Sequence, residues 1–246
     1  MDGVILGLAV GIFLMAILYS LVGHGGASGY IAIMALLGFA PTLIRPTALV
    51  LNIVVSLIAA VAFISARHFS WRLFWPFALI AIPCSYLGGS ITLPAHLYRP
   101  LIGLILLFAA FSLLRKKQQD VALQPAERPR IVVALTLGGL LGLISGLSGV
   151  GGGIFLSPLL LLLNWGKAKE VAGVSALFIL CNSISGLSGY LQAVSSLPDF
   201  IPLIVVMALV GGIIGSFYGS SRLRAPIIIN ALALVLVIAG MKMMLS

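Results

Sequence analysis

Two glycine clusters concentrate the chain's capacity for chemistry: Gly23-His24-Gly25-Gly26-Ala27-Ser28-Gly29 and Gly146-Leu147-Ser148-Gly149-Val150-Gly151-Gly152-Gly153. Each interrupts a long apolar stretch and is followed by another apolar run. A helix that begins at such a break offers unpaired backbone N–H groups at the positive end of its dipole, which is an anion site. Substrate ligands are therefore expected at Gly23, His24, Gly25, Gly26 and Ser28 in the first cluster, and at Ser148, Gly149, Gly151, Gly152 and Gly153 in the second. Asn52 and Asn182 add an amide each, and an amide can donate two hydrogen bonds to an oxyanion. Thr47 and Ser56 lie near the first amide, and Ser175, Ser183 and Ser185 near the second, with Ser175 included among the expected ligands. The competing reading of the amides is hydrogen-bonding glue between helices. The competing reading of glycine is close helix packing, which is the one adopted for the scattered Gly138, Gly142, Gly186, Gly189, Gly211 and Gly212.

Titratable groups are scarce in the apolar runs. All five acids, Asp2, Asp120, Glu127, Glu170 and Asp199, fall at segment ends or in a charged linker. His68 and His96 lie at loop ends, which leaves His24 as the single candidate for moving a proton at depth. No buried Lys or Arg is expected to pair with the anion, so backbone and amide donors would carry its binding. Cys84 and Cys181 have no CxxC spacing and read as small buried hydrophobes. No cofactor and no metal are expected.

These groups need a scaffold, and the composition specifies which solvent it faces. Of 246 residues, 61% are hydrophobic and only 8% charged, against about 25% charged in an ordinary soluble domain. That excludes a soluble globular protein and makes the bilayer the solvent. The net charge of +9 is spread over short gaps between apolar runs, so it reads as an orientation signal and not as a nucleic-acid face. Met1-Asp2-Gly3 lacks the positive region of a cleavable signal peptide, so the first run is expected to be retained.

Stretches free of Asp, Glu, Lys and Arg cover 3–44, 46–66, 73–98, 100–114, 131–166, 171–198, 200–221 and 225–241. As one helix, the first would measure roughly 63 Å against a hydrocarbon core of about 30 Å. It and the 131–166 stretch should each fold as two arms around their glycine cluster. Gly25-Gly26 and Gly151-Gly152 stand 126 positions apart, and the same offset carries Pro100 onto Pro226. The chain is thus a tandem repeat: an N-terminal membrane repeat over 1–115, a charged linker over 116–130 and a second repeat over 131–246.

With each broken stretch as a hairpin, one side of the membrane collects Arg67, Arg72, Arg115, Lys116, Lys117, Arg128, Arg130, Lys167, Lys169, Arg222 and Arg224, and the other only Arg45, Arg99 and Lys242. Cytoplasmic loops carry the excess of Lys and Arg, so this asymmetry favours hairpins over single crossings. Each repeat then crosses an odd number of times and the second must be inverted. The expected fold is an all-α polytopic membrane protein of two inverted-topology repeats, each a broken-helix hairpin plus three transmembrane helices. Both termini lie outside, the linker is cytoplasmic, and the substrate site sits at mid-membrane between the two breaks, as inverted repeats favour.

The run Gly146-Leu147-Ser148-Gly149-Val150-Gly151-Gly152-Gly153-Ile154-Phe155-Leu156-Ser157-Pro158 resembles the glycine-rich motif of the sulfite exporter TauE/SafE family of membrane permeases. The likeness extends over nearly the whole chain, including the degenerate first copy at 23–29 and the small-residue helix from Gly173-Val174-Ser175-Ala176 to Asn182-Ser183-Ile184-Ser185-Gly186. It implies a bacterial inner-membrane permease for small sulfur-containing anions, sulfite and organosulfonates among them. His24 and Ala27 depart from the glycine-rich pattern of the first copy. The partners this reading allows are a small anion, protons, the lipid bilayer and a second copy of the chain. A passive anion channel shares every one of these features. Gly146-Leu147-Ser148-Gly149 also matches the GxSG pattern of rhomboid intramembrane proteases, but every histidine precedes Ser148, whereas in those enzymes it follows the serine.

Overall fold

The computed structural model describes residues 2–21, 26–116, 130–193, 200–219 and 225–245. Gly23, His24 and Gly25 and most of the charged linker lie outside the described residues. Hydrocarbon cannot satisfy backbone N–H and C=O groups, so apolar runs of this length must pair them internally. Among the described residues the structure is all helix: α1 (Asp2–Leu21), α2 (Ala27–Leu36), α3 (Pro41–Ser65), α4 (Trp71–Ser90), α5 (Ala95–Lys116), α6 (Ile131–Ser148), α7 (Gly153–Leu162), α8 (Ala168–Ala193), α9 (Ile201–Gly219) and α10 (Ala225–Leu245). Five helices are long and apolar enough to cross a membrane: Pro41–Ser65, Trp71–Ser90, Ala95–Ser112, Ile131–Ser148 and Lys169–Gln192.

The order long, short, long, long, long occurs twice. Both short helices have 10 residues, and α7 occupies the α2 positions shifted by 126. At 1.5 Å per residue each is about 15 Å long, half of a hydrocarbon core. Their boundaries repeat too. Gly26 and Gly152 precede them with φ of 68° and 79°. Both end in the same tight stop: Gly38 (φ 79°) and Asn164 (φ 52°) take the left-handed conformation. The N–H groups of Gly38 and Phe39 donate to Ala35 and Met34, and those of Asn164 and Trp165 to Leu161 and Leu160. Gly and Asn are the residues that adopt that conformation at low cost, which explains why the helices stop there.

The chain reverses between α1 and α2, as the hairpin reading requires of the first break. In the first hairpin Gly11 of α1 faces Ile33 of α2, while Gly29 faces Met15 and Tyr19, an antiparallel pairing. Lys242 Nζ donates to the Leu36 carbonyl at 2.8 Å, a cation on the negative end of α2.

The helices form two compact units, 1–51 with 93–119 and 197–246, and 52–92 with 120–196. Each unit therefore draws on both sequence repeats. In the first unit α1 packs on α9 and α5 on α10; in the second α4 packs on α6 and α8. The first helix of each repeat thus pairs with the fourth helix of the other. Glycine makes the second unit's contacts possible. A Cβ on Gly138, Gly142 or Gly146 of α6 would collide with the carbonyl oxygen of Phe77, Ala81 or Ser85 on α4. Gly89 and Gly189 bring α4 and α8 together in the same way, against the carbonyls of Gly186 and Tyr86. The scattered glycines Gly138, Gly142 and Gly189 are packing residues, as expected; in the first unit Gly211 faces the Phe13 carbonyl likewise.

One expectation fails here. Arg45 was assigned to a gap between spans, yet it lies inside α3 and is only 3% exposed. The reason is that α3 begins at Pro41, so the helix runs through the charge that ended the first uncharged stretch. A buried cation is therefore present in the first unit.

The α4–α6 contact yields a direct test. Gly142→Leu must push two backbones apart and is expected to cost more than the roughly 1–3 kcal/mol of ordinary overpacking. Gly7→Leu, where a Cβ meets nothing within 4 Å, should be tolerated. Monodispersity and thermal unfolding in detergent check the pair; equal behaviour of the two variants would contradict the packing described.

Candidate functional site

The break in the second unit is built by glycine conformation. Gly149, Gly151 and Gly152 have φ of 82°, 79° and 79°, a region that L side chains rarely adopt. The turn lets α6 end and α7 start within a few residues. At its start, α7 has no side-chain cap. The N–H groups of Phe155 and Leu156 reach the Gly152 carbonyl, and that of Val150 reaches Ser148 Oγ at 3.2 Å. Among the described residues the N–H groups of Gly151, Gly152, Gly153 and Ile154 have no acceptor. Leu156 and Leu160 anchor α7 in an apolar cluster with Phe77, Trp165 and Phe178, so these donors are held by a packed core.

Three further elements face this turn. From α3, Asn52 Nδ2 donates to the Gly149 carbonyl at 3.1 Å. From α8, the residues at 175, 178, 179, 182 and 183 present one helical face. The Cβ position of Gly151 lies 3.0 Å from Asn52 Nδ2 and 3.0 Å from Ser183 Oγ, and that of Gly152 lies 2.9 Å from Phe178 Cε1. Asn182 Nδ2 donates to the Phe178 carbonyl at 3.0 Å, and Ser85 Oγ of α4 donates to the Asn182 carbonyl at 2.8 Å. The Cβ of Ser145, on the last turn of α6, lies 3.4 Å from where a Gly152 side chain would begin. Ser157 Oγ donates to Ser175 Oγ at 2.8 Å beside the first turn of α7.

Asn52, Gly149, Gly151, Gly152, Gly153 and Ser175 are thus brought together in one unit, and Asn182 lies next to Ser183 on α8 of the same unit. Ser148 sits at the same turn with its hydroxyl spent: it donates to the Ile144 carbonyl at 2.6 Å and accepts from Val150. It closes the C-terminus of α6. His68, the histidine of this unit, packs its carbonyl oxygen against Gly173, ten residues or about 15 Å along α8 from Ser183.

On the helices that meet at the turn, four side-chain atoms are buried without a partner: Asn52 Oδ1, Asn182 Oδ1, Ser145 Oγ and Ser183 Oγ. Ser145 and Ser183 figure in the sequence only as neighbours of the break and of an amide. What the sequence did not disclose is that they share the Gly151–Gly152 surface with Asn52.

In the first unit, Gly26 and Ser28 occupy the start of α2. Ser28 Oγ and Tyr19 OH share a 2.8 Å hydrogen bond, and the Tyr30 hydroxyl lies 2.6 Å from where a Gly26 side chain would begin. Tyr30 OH is buried and unpartnered. Its position in the first turn after the break was the one available signal for it. Gly23, His24 and Gly25 are outside the described residues.

Comparison with known proteins bears on this site. A model of the family described as "Sulfite exporter TauE/SafE" matches residues 8–243. The chain is 40% identical over 246 residues, 99% of its length and 100% of the relative's, to "Probable membrane transporter protein y4hK" of Sinorhizobium fredii (strain NBRC 101917 / NGR234). No solved structure matches the chain.

The Asn52 bond is testable apart from function. Asn52→Leu would strand the Gly149 carbonyl in an apolar interior, at an expected cost of about 1–2 kcal/mol. Thermal unfolding should show a lower midpoint than wild type; an unchanged midpoint would mean that the turn does not depend on this bond.

Proposed function

Because the chain belongs to the sulfite exporter TauE/SafE family, we propose that it carries small oxyanions, sulfite and organosulfonates first, by binding them on the N-terminus of α7. By its family and its relative the chain is a multi-pass membrane transporter of this type. The observation that supports the anion site is the run of N–H groups without acceptors at Gly151, Gly152, Gly153 and Ile154. Backbone this unsatisfied is tolerated at membrane depth only where it lines a cavity or meets a ligand. The remaining hydrogens of the Asn52 and Asn182 amides and the hydroxyls of Ser145 and Ser183 are further donors within the same surface.

Neutral donors would hold the anion without a buried charge from this unit, so release stays easy. Alternating access follows from two repeats of opposite orientation. That orientation rests on the distribution of Lys and Arg, which places the linker inside and both termini outside a bacterial inner membrane.

The test is counterflow in proteoliposomes. Unlabelled sulfite on one side should accelerate labelled sulfite from the other, because the carrier returns loaded; flux without trans-stimulation would make the protein a channel, and no flux of sulfite, thiosulfate or sulfonates would sink the substrate class. Gly152→Ala inserts a Cβ 2.9 Å from Phe178 and strains a φ of 79°, at about 1–2 kcal/mol for the left-handed conformation alone. It should lower counterflow about tenfold or more while leaving membrane insertion normal. Normal flux would detach transport from this turn.

A further inference from the structure

The turn at Gly149–Gly152 carries acceptors that an anion cannot use. Asn52 and Asn182 are both fully buried, and hydrogen bonds fix which way their amides face. The Nδ2 atoms point at the Gly149 and Phe178 carbonyls, and rotating either amide would set oxygen against oxygen. Their Oδ1 atoms are left without a partner, as are the buried hydroxyls of Ser145 and Ser183. An amide oxygen offers only lone pairs, and so does an oxyanion, so the two repel. These oxygens require a donor or a positive charge.

The backbone points the same way. The last carbonyls of α6 form the negative end of its dipole at the turn where α7 presents its positive end. One break therefore offers a surface for each sign of charge, as in carriers where unwound carbonyls hold a coupling cation and a half-helix N-terminus holds the anionic substrate. The available ligands are neutral, hard oxygens, which suit an alkali cation. Among the described residues no group of three His, Cys, Asp or Glu could hold another metal. No Asp, Glu or His lies on the turn or on the α8 face opposite it, so a proton has no titratable carrier there.

We propose that this turn binds a sodium ion through Asn52 Oδ1, Asn182 Oδ1, Ser183 Oγ and Ser145 Oγ, and that the ion travels with the anion. The proposal rests on the reading of the same turn as the anion site. It also supplies a coupling device. Each Asn amide can give its remaining hydrogen to the anion while its oxygen meets the cation, so each ion orders the group that binds the other. Such coupling is reciprocal: sodium must tighten anion binding by the factor by which the anion tightens sodium binding.

Two measurements on the purified full chain test it. Sulfite uptake into proteoliposomes is compared at equal internal and external pH with external NaCl, KCl or choline chloride, and thermal unfolding is followed against the same salts without sulfite. Sodium should accelerate uptake and raise the unfolding midpoint saturably, and Ser183→Ala or Asn182→Ala should raise the sodium concentration for half effect about tenfold or more. If these variants do not fold, the wild-type salt comparison decides. Counterflow that is equal in all three salts, with no sodium effect on unfolding, overturns the cation site and leaves the transporter intact. Uptake that follows a pH gradient and ignores sodium overturns it too. A sodium effect on unfolding with no flux of any sulfur oxyanion keeps the cation site and overturns the anion reading.

Discussion

Everything at the candidate site depends on a stretch of backbone that cannot pair with itself. Between Ser148 and Gly153 the chain leaves one helix and starts another inside an apolar surround, and three glycines hold the left-handed conformation that makes the change of direction possible. Each N–H left over in such a place costs several kcal/mol in hydrocarbon. The structure partly offsets this by local means: Ser148 takes the Val150 N–H, and Asn52 gives a hydrogen to the Gly149 carbonyl. The N–H groups from Gly151 to Ile154 stay open, which calls for a cavity or a ligand against them.

Holding that turn open requires a rigid frame, and the frame comes from backbone-to-backbone packing. α4 lies so close to α6 and α8 that carbonyl oxygens of Phe77, Ala81 and Ser85 occupy the space of side chains on α6. Lipid tails are as apolar as the helix surfaces, so tight van der Waals contact, not the hydrophobic effect, must hold these helices together. The exchange of helices between repeats has a further consequence. Asn52 is encoded in the first repeat but bonds to the break of the second. The site thus needs both repeats, although its glycines come from one.

Much of this was legible in the sequence because glycine and charge are unambiguous signals in an apolar chain. The breaks, the 126-residue offset and the five-helix order of each repeat follow from them. Arg45 is not legible as a helix residue from uncharged stretches alone, because one buried charge is tolerated within α3. The half-length of α2 and α7 was not readable either: the apolar run continues past Leu36 and Leu162, and the stop comes from Gly38 and Asn164 taking the left-handed conformation. Ser183 and Tyr30 were hidden for a different reason. Which face of a helix meets the break is a property of packing, and serines and tyrosines are common on faces that meet nothing.

The two breaks share a backbone and differ in side chains, and the difference bears on mechanism. Both start a ten-residue helix after a left-handed glycine. Around the second stand amides and serines; around the first stand Tyr19, Ser28 and Tyr30, two of them already bonded to each other. A tyrosine hydroxyl offers one donor on a rigid ring, and an Asn amide offers two donors and an acceptor. The first break presents hydroxyl groups only, and it lacks the amide oxygens that set the second apart. Repetition of the backbone conserves the shape of the device. Substitution around it sets which donors and acceptors each copy presents.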